Sequence, residues 1–164
     1  MSEAATSVQE RSEPLKSEPL RDKSPKDRIT QFHLAFPVRD LDEARHFYGG
    51  VIGCRQGRSD ATYQDFDFFG HHLVAHISAE GRPLQGGRFD GEAVPIPHFG
   101  MNLDRESWEL LARRLKGAGV AFHEEPHLRL KGKPGQHVTM FLFDPSGNAL
   151  EFKSFDEPEQ TFIP

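Results

Sequence analysis

Cysteine, tryptophan and tyrosine are all scarce in this chain of 164 residues, at one, one and two copies. A single cysteine, Cys54, cannot form an internal disulfide, which excludes a disulfide-stapled scaffold. No apolar run approaches the roughly 20 residues that a bilayer-spanning helix requires. No apolar core of a secretory signal is present either, so a cytoplasmic location without a membrane partner is expected. Excess positive charge is also lacking. Lys and Arg number 20 against 25 Asp and Glu, a net charge of −5, so the chain has no electrostatic footprint for nucleic acid. Neither a phosphate-binding glycine loop between strand and helix nor a nucleophile elbow occurs.

What is present is an ordinary soluble composition with two biases. Apolar residues make up 36%, and fourteen of them are phenylalanine, which assigns much of the core packing to Phe. Nine histidines are the other bias, and their placement matters more than their number. The length suits one domain with a real core.

Residues 1–28 hold Ser, Glu, Lys, Arg and Pro with almost no large apolar side chain. Such a segment cannot bury enough surface to offset its ordering entropy and is expected to be a disordered tail. From Ile29 the texture changes. ITQFHLAFPV alternates with the period of a strand. DLDEARHFYGGVIG reads as a helix capped by Asp40 and stopping near Gly49-Gly50. Three short strands follow, at 54–58, 62–69 and 72–77, with Gly70-His71 as the last turn. Residues 79–95, rich in Gly and charge, read as a connecting loop.

The order then repeats. IPHFGMNL is a strand and DRESWELLARRLKGAG a helix with Trp108, Leu111, Ala112 and Leu115 on one stripe. VAFHEEPHL, HVTMFLF and NALEFKS are three further strands. The chain thus reads βαβββ twice, as modules 29–78 and 96–155 of one domain spanning 29–155, followed by a C-terminal tail at 156–164.

Matching the modules sets His33 over His98 and, with LVAHIS over NALEFKS, His76 over Glu151. Each of the four lies on the strand face opposite the large apolar residues. A lone histidine on a strand is more often a hydrogen-bonded packing residue than a ligand, and Glu151 by itself has Lys153 or Arg129 as candidate partners. Four such residues at matched positions point instead to a metal site made of His33, His76, His98 and Glu151. Imidazole with carboxylate suits Fe(II), Mn, Zn, Ni or Co. His76 is either a ligand or a group that contacts substrate; His76 and Glu151 are also the candidate acid–base residues. His72, Asp67 and His137 are candidate substrate contacts.

The duplicated βαβββ pattern, FHLAFPVRDLDEARHFYGGVIG, HFGMNL and above all FLFDPSGNALEFKSF resemble the vicinal oxygen chelate superfamily, the glyoxalase, bleomycin resistance protein and dioxygenase family. The resemblance covers residues 29–155. It implies an α+β fold in which two βαβββ modules form a cupped mixed sheet around one divalent metal. The first and last strands of each module would supply the ligands, which are His33, His76, His98 and Glu151. The position matched by His76 is glutamate in glyoxalase I and glutamine in methylmalonyl-CoA epimerase. The remaining set, His33, His98 and Glu151, is similar to that of the extradiol dioxygenases. The resemblance therefore implies a metal-dependent dioxygenase, Fe(II) first among its metals, acting on a small substrate that chelates through vicinal oxygens. A glyoxalase-type lyase or isomerase and a non-catalytic resistance protein are the alternatives. A homodimer is implied as well, and the sheets meet either within one chain or across that dimer.

Overall fold

Alternating apolar and polar positions over five to eight residues build two four-stranded sheets, each with one helix against its apolar face. The computed structural model describes residues 31–80, 85–89 and 92–159. The tail expected at 1–28 and the last residues of the C-terminal tail lie outside them.

The first module starts with β1 (His33–Val38). Asp40 then caps α1 (Leu41–Ala44), its side chain accepting from the Glu43 N–H at 2.8 Å. The helix does not stop at Gly49-Gly50. It continues as a π-helical segment (Arg45–Ile52), and Gly53 ends it with φ +96°. Both Gly53 N and Cys54 N donate to Tyr48 O, at 3.0 and 2.8 Å. Burial of Phe47, Tyr48 and Ile52 carries the helix through the two glycines. The strands β2 (Arg55–Ser59), β3 (Tyr63–Phe68) and β4 (His71–Ile77) follow. The turn between β3 and β4 is Phe69-Gly70, not Gly70-His71. Both residues have positive φ, the backbone of a tight hairpin.

The expected loop at 79–95 contains a hairpin instead, β5 (Gln85–Phe89) with β6 (Glu92–Ile96). The second module runs β7 (His98–Asn102), α2 (Arg105–Gly117), β8 (Phe122–Arg129), β9 (His137–Phe143) and β10 (Ala149–Phe155). Asp104 caps α2 as Asp40 caps α1. Strand order is β1-β4-β3-β2 in one sheet and β7-β10-β9-β8 in the other. In each, the first strand pairs parallel to the last. This is an α+β glyoxalase-like fold.

The helix-side faces of both sheets share one core. Phe36, Phe66, Phe68 and Leu73 from the first meet Met140, Leu142, Leu150 and Phe152 from the second, around Tyr48, Trp108, Leu111 and Leu115. Phe36 stacks on Phe99 at 5.3 Å between ring centroids, and Phe68 on Phe152 at 6.0 Å. Trp108 Nε1 donates to Phe152 O at 2.8 Å, tying α2 to β10.

The DPSGN turn between β9 and β10 joins the modules. Asp144 Oδ1 accepts from the N–H groups of Ser146 and Asn148, at 2.9 and 2.8 Å. Its Oδ2 accepts from Tyr48 OH at 2.9 Å and from Asn148 Nδ2 at 2.8 Å. Asn148 Nδ2 also reaches Pro37 O at 2.8 Å, and Arg39 N donates to Ser146 Oγ at 3.0 Å. A buried carboxylate with four donors is well satisfied. The sharp turn is therefore a clamp on the first module as much as an entry to β10.

Candidate metal centre

Glu151 lies at the centre of β10, on the polar face and 8% exposed. Thr139 Oγ1 donates to its Oε1 at 2.8 Å. The other oxygen, Oε2, faces His98 Nε2 at 3.3 Å and Lys153 Nζ at 2.8 Å. Burial pushes the Glu151 carboxyl up, but the contacts from His98, Lys153 and Thr139 outweigh it and hold the group down at about 2. The same contact with Glu151 raises the His98 imidazole. Gly100 is the neighbour of Glu151 across β7 and β10. A Cβ on Gly100 would sit 1.6 Å from the Glu151 carbonyl oxygen, so only glycine lets β7 close on β10 here.

His98 is fixed from behind. Its Nδ1 lies 2.7 Å from Pro95 O, at the end of the β6 hairpin strand. A carbonyl only accepts, so Nδ1 carries a hydrogen, and Nε2 is the nitrogen aimed at Glu151. Phe141 packs edge-on to the His98 ring at 4.9 Å. The recess over this pair is lined by second-module residues, including Asn102 and Lys153.

His33 is elsewhere. It sits at the exposed start of β1 with its Nδ1 3.0 Å from His72 Nδ1. Among the described residues, no three His, Cys, Asp or Glu side chains are gathered as a metal site. The polar face of each sheet lies opposite the shared core, so the two faces do not enclose one space within a single chain.

The pairing also corrects the repeat. His33 neighbours His72 in β1–β4, and His98 neighbours Ala149 in β7–β10. Two residues further along, Glu151 corresponds to Val74, and His76 corresponds to Lys153. The sequence match was shifted by two, which preserves the face and so escapes a period-2 pattern. His76 is exposed and packs against Tyr63 at 5.9 Å, so the repeat no longer supports it as a ligand or acid–base residue.

The other candidates are placed as follows. Asp67 pairs with Arg55 at 3.1 Å and accepts from Gly70 N at 2.8 Å. The Gly70 N–H, then Arg55, hold its carboxyl below the ordinary carboxylate range. His72 lies between His33 and Asp65, with its Nε2 3.3 Å from Asp65 Oδ1. His137 is buried on the polar face of the second sheet, its Nδ1 2.7 Å from Gly135 O and its ring on Phe155. Burial lowers its imidazole. Its Nε2 is buried with no hydrogen-bond partner among the described residues. Arg129 is engaged with Glu124 at 2.7 Å and does not pair with Glu151.

The sequence reading passed over Thr139 and Asp65, while Lys153, one of the two candidate partners of Glu151, does pair with it at 2.8 Å. Asp65 shares a strand face with Asp67 in YQDFDF, and Thr139 shares one with Phe141, so alternation alone could have marked both.

The sequence profile of the Glyoxalase/Bleomycin resistance protein/Dioxygenase superfamily matches residues 30–152. The chain belongs to this superfamily. A glyoxalase/bleomycin resistance protein/dioxygenase from Alicyclobacillus acidocaldarius is 37% identical with TM-score 0.69, over 81% of this chain and 96% of that one. The fosfomycin resistance protein FosX of Listeria monocytogenes shares the fold, with TM-score 0.58 and 18% identity over 80% of this chain and 96% of its own. The catechol-2,3-dioxygenase of Bacillus subtilis (strain 168) is 28% identical over 120 residues, 67% of this chain. The chain spans only 40% of that relative's length. No described helix is long and apolar enough to cross a membrane.

The residues at the centre fit a divalent metal in their donor chemistry. His98 presents Nε2 with Nδ1 already satisfied, and Glu151 presents one oxygen while Thr139 holds the other. Among the described residues, Lys153 is at odds with a cation there, because its ammonium lies against the same oxygen.

Proposed function

We propose that the protein is a divalent-metal-dependent dioxygenase acting on a small substrate that chelates through vicinal oxygens, with Fe(II) as the first candidate metal. His98 and Glu151 of one module and His33 of the other would hold the ion. The observation that carries the reading is the pair His98 Nε2 and Glu151 Oε2, 3.3 Å apart, together with a valine at the first-module position that matches Glu151. A two-histidine, one-carboxylate set without a fourth side chain supplies a Lewis acid with open positions, as in the non-haem iron oxygenases. Likeness to a catechol-2,3-dioxygenase supports the same class.

His33 reaches the pair most simply from a second copy of the chain, which presents the polar face of its first sheet to the open polar face of the second. In that dimer Phe141 walls the site, Lys153 swings from Glu151 toward an anionic substrate oxygen, and buried His137 lines the approach. A glyoxalase-type lyase or isomerase lacks the carboxylate at Val74 that such chemistry employs as base. A binding protein without turnover has no use for the His98–Glu151 pair.

Elemental analysis of freshly purified protein and oxygen uptake with a panel of catechols on anaerobically Fe(II)-loaded protein test the proposal. Metal at one ion per chain and uptake with at least one catechol are expected. Confirmed metal occupancy with no uptake across the panel, while hemithioacetals are converted, would move the assignment to the lyase class.

A further inference from the structure

The polar face of the first sheet carries four side chains in series. Arg58 Nε donates to Asp65 Oδ2 at 3.1 Å, Asp65 Oδ1 faces His72 Nε2 at 3.3 Å, and His72 Nδ1 meets His33 Nδ1 at 3.0 Å. Strand register sets the contacts: His33 is directly beside His72 on β1 and β4, and Asp65 lies one pleat further on β3, beside Val74. Asp65 is buried, with its side chain 9% exposed, and a buried carboxylate requires such partners. The groups run end to end and do not converge on a point, consistent with the lack of a three-ligand cluster among the described residues.

Each link has a direction. A carboxylate has no hydrogen to give, so the imidazole hydrogen of neutral His72 is placed on Nε2, toward Asp65. His72 Nδ1 is then an acceptor. The hydrogen between the two Nδ1 atoms therefore belongs to His33. His33 Nε2 is left with its lone pair and no hydrogen. His98 carries the same Nδ1–H by another route, with Pro95 O receiving it at 2.7 Å, while its Nε2 faces the Glu151 carboxylate at 3.3 Å. In both modules the hydrogen is thus held on Nδ1, in one by a backbone carbonyl and in the other by a side-chain relay.

We propose that Asp65 and His72 are positioning residues that lock His33 in the Nδ1–H tautomer and turn its Nε2 outward as the metal-binding nitrogen. The proposal rests on the reading of His33 as a ligand. A hydrogen-bonded partner on the far nitrogen fixes ring orientation and raises ligand basicity, and its loss typically costs about 10–100-fold in metal affinity. His72 in this role is not a substrate contact, and the carboxylate that orients it is Asp65.

The test uses the full chain. Long-range proton–nitrogen NMR on metal-free protein, at a pH where the imidazoles are neutral, identifies which nitrogen of His33 bears hydrogen. Nδ1–H is expected in the wild type. His72→Phe is expected to move His33 toward the Nε2–H form that an isolated imidazole prefers, and to weaken Zn(II) binding by about 10–100-fold in chelator competition. His72→Gln, whose amide oxygen can accept from His33 Nδ1, restores part of both. An Nε2–H signal for His33 in the wild type, or a tautomer and Zn(II) affinity unmoved in His72→Phe, overturns the proposal. Wild-type protein that binds no Zn(II) would sink the ligand reading, while the metal-free tautomer measurement still decides the relay, and needs no variant to fold.

Discussion

Lys153 Nζ lies 2.8 Å from Glu151 Oε2, two residues along the same strand and on the same polar face. The lysine occupies the direction from which a cation would approach that oxygen. It keeps a buried carboxylate compensated, and the proposed metal at that oxygen would have to displace it.

Replacing Lys153 with methionine removes this competitor while keeping most of the side-chain volume. Metal affinity is expected to rise by on the order of 10-fold, because a like charge a few ångströms from the ion is removed. Turnover is expected to fall if the lysine then serves the substrate. Chelator competition checks the first and steady-state kinetics the second; unchanged or weaker metal binding would show that Lys153 does not compete at the site.

The across-dimer site has a test that a single-chain site cannot pass. Two chains carrying His33→Ala and Glu151→Ala, each with its own affinity tag, are co-expressed and the mixed dimer is purified. If His33 of one copy completes the pair on the other, one site loses both residues and the other is intact. Each pure variant should lose tight metal binding, while the mixed dimer should regain one ion per dimer. No recovery in the mixed dimer argues for a site within one chain.

Much of the fold was legible because hydrophobic period and capping residues agree with the final packing. Asp40, the α2 stripe and the alternation in β9 and β10 all act locally. The misses have one cause, which is that long-range packing decides them. Gly49 and Gly50 signal a stop, yet burial of Phe47, Tyr48 and Ile52 carries the helix through. Glu151, His98 and His33 were visible as polar residues on apolar strands. The two-residue shift that put His76 in place of Val74 was not detectable, because both residues point to the same side of β4 and only pairing with β1 tells them apart. The division of the polar residues between two open faces depends on how the modules pack, which no local pattern encodes.

Tyr48 and Asp144 make a buried cross-module hydrogen bond of 2.9 Å, so Tyr48→Phe is expected to cost about 1–3 kcal/mol, leaving an acceptor with one fewer donor. Asp144→Ala removes all four bonds and should cost more. Burial, followed by the charge of Asp144, raises the Tyr48 hydroxyl well above the ordinary phenol value. A raised folded value means that this contribution is complete below about pH 10 and is lost as pH rises through the folded value. In a Tyr63→Phe background, phenolate absorbance should therefore appear only together with unfolding. Reversible ionisation of Tyr48 in folded protein would contradict its buried placement.

Val74 offers the sharpest test of the register and of the open site together. It stands where the first module would carry the counterpart of Glu151, and it is buried beside Asp65 on β3. Val74→Glu adds a carboxylate to a face that already holds Asp65 and Asp67, without a new cation, and should destabilise metal-free protein by about 3 kcal/mol or more. If Val74 borders the metal centre, the new carboxylate becomes a fourth ligand. Metal should then bind more tightly than in the wild type and recover the lost stability, since a ligand that binds only the folded state stabilises it by mass action. Oxygen uptake should fall at the same time, because the fourth side chain closes a position that the dioxygenase reading leaves open. Thermal unfolding with and without Zn(II), set beside uptake on the Fe(II) form, reads all three effects. A variant equally unstable with and without metal would place Val74 away from the centre and would remove the register argument for an open site.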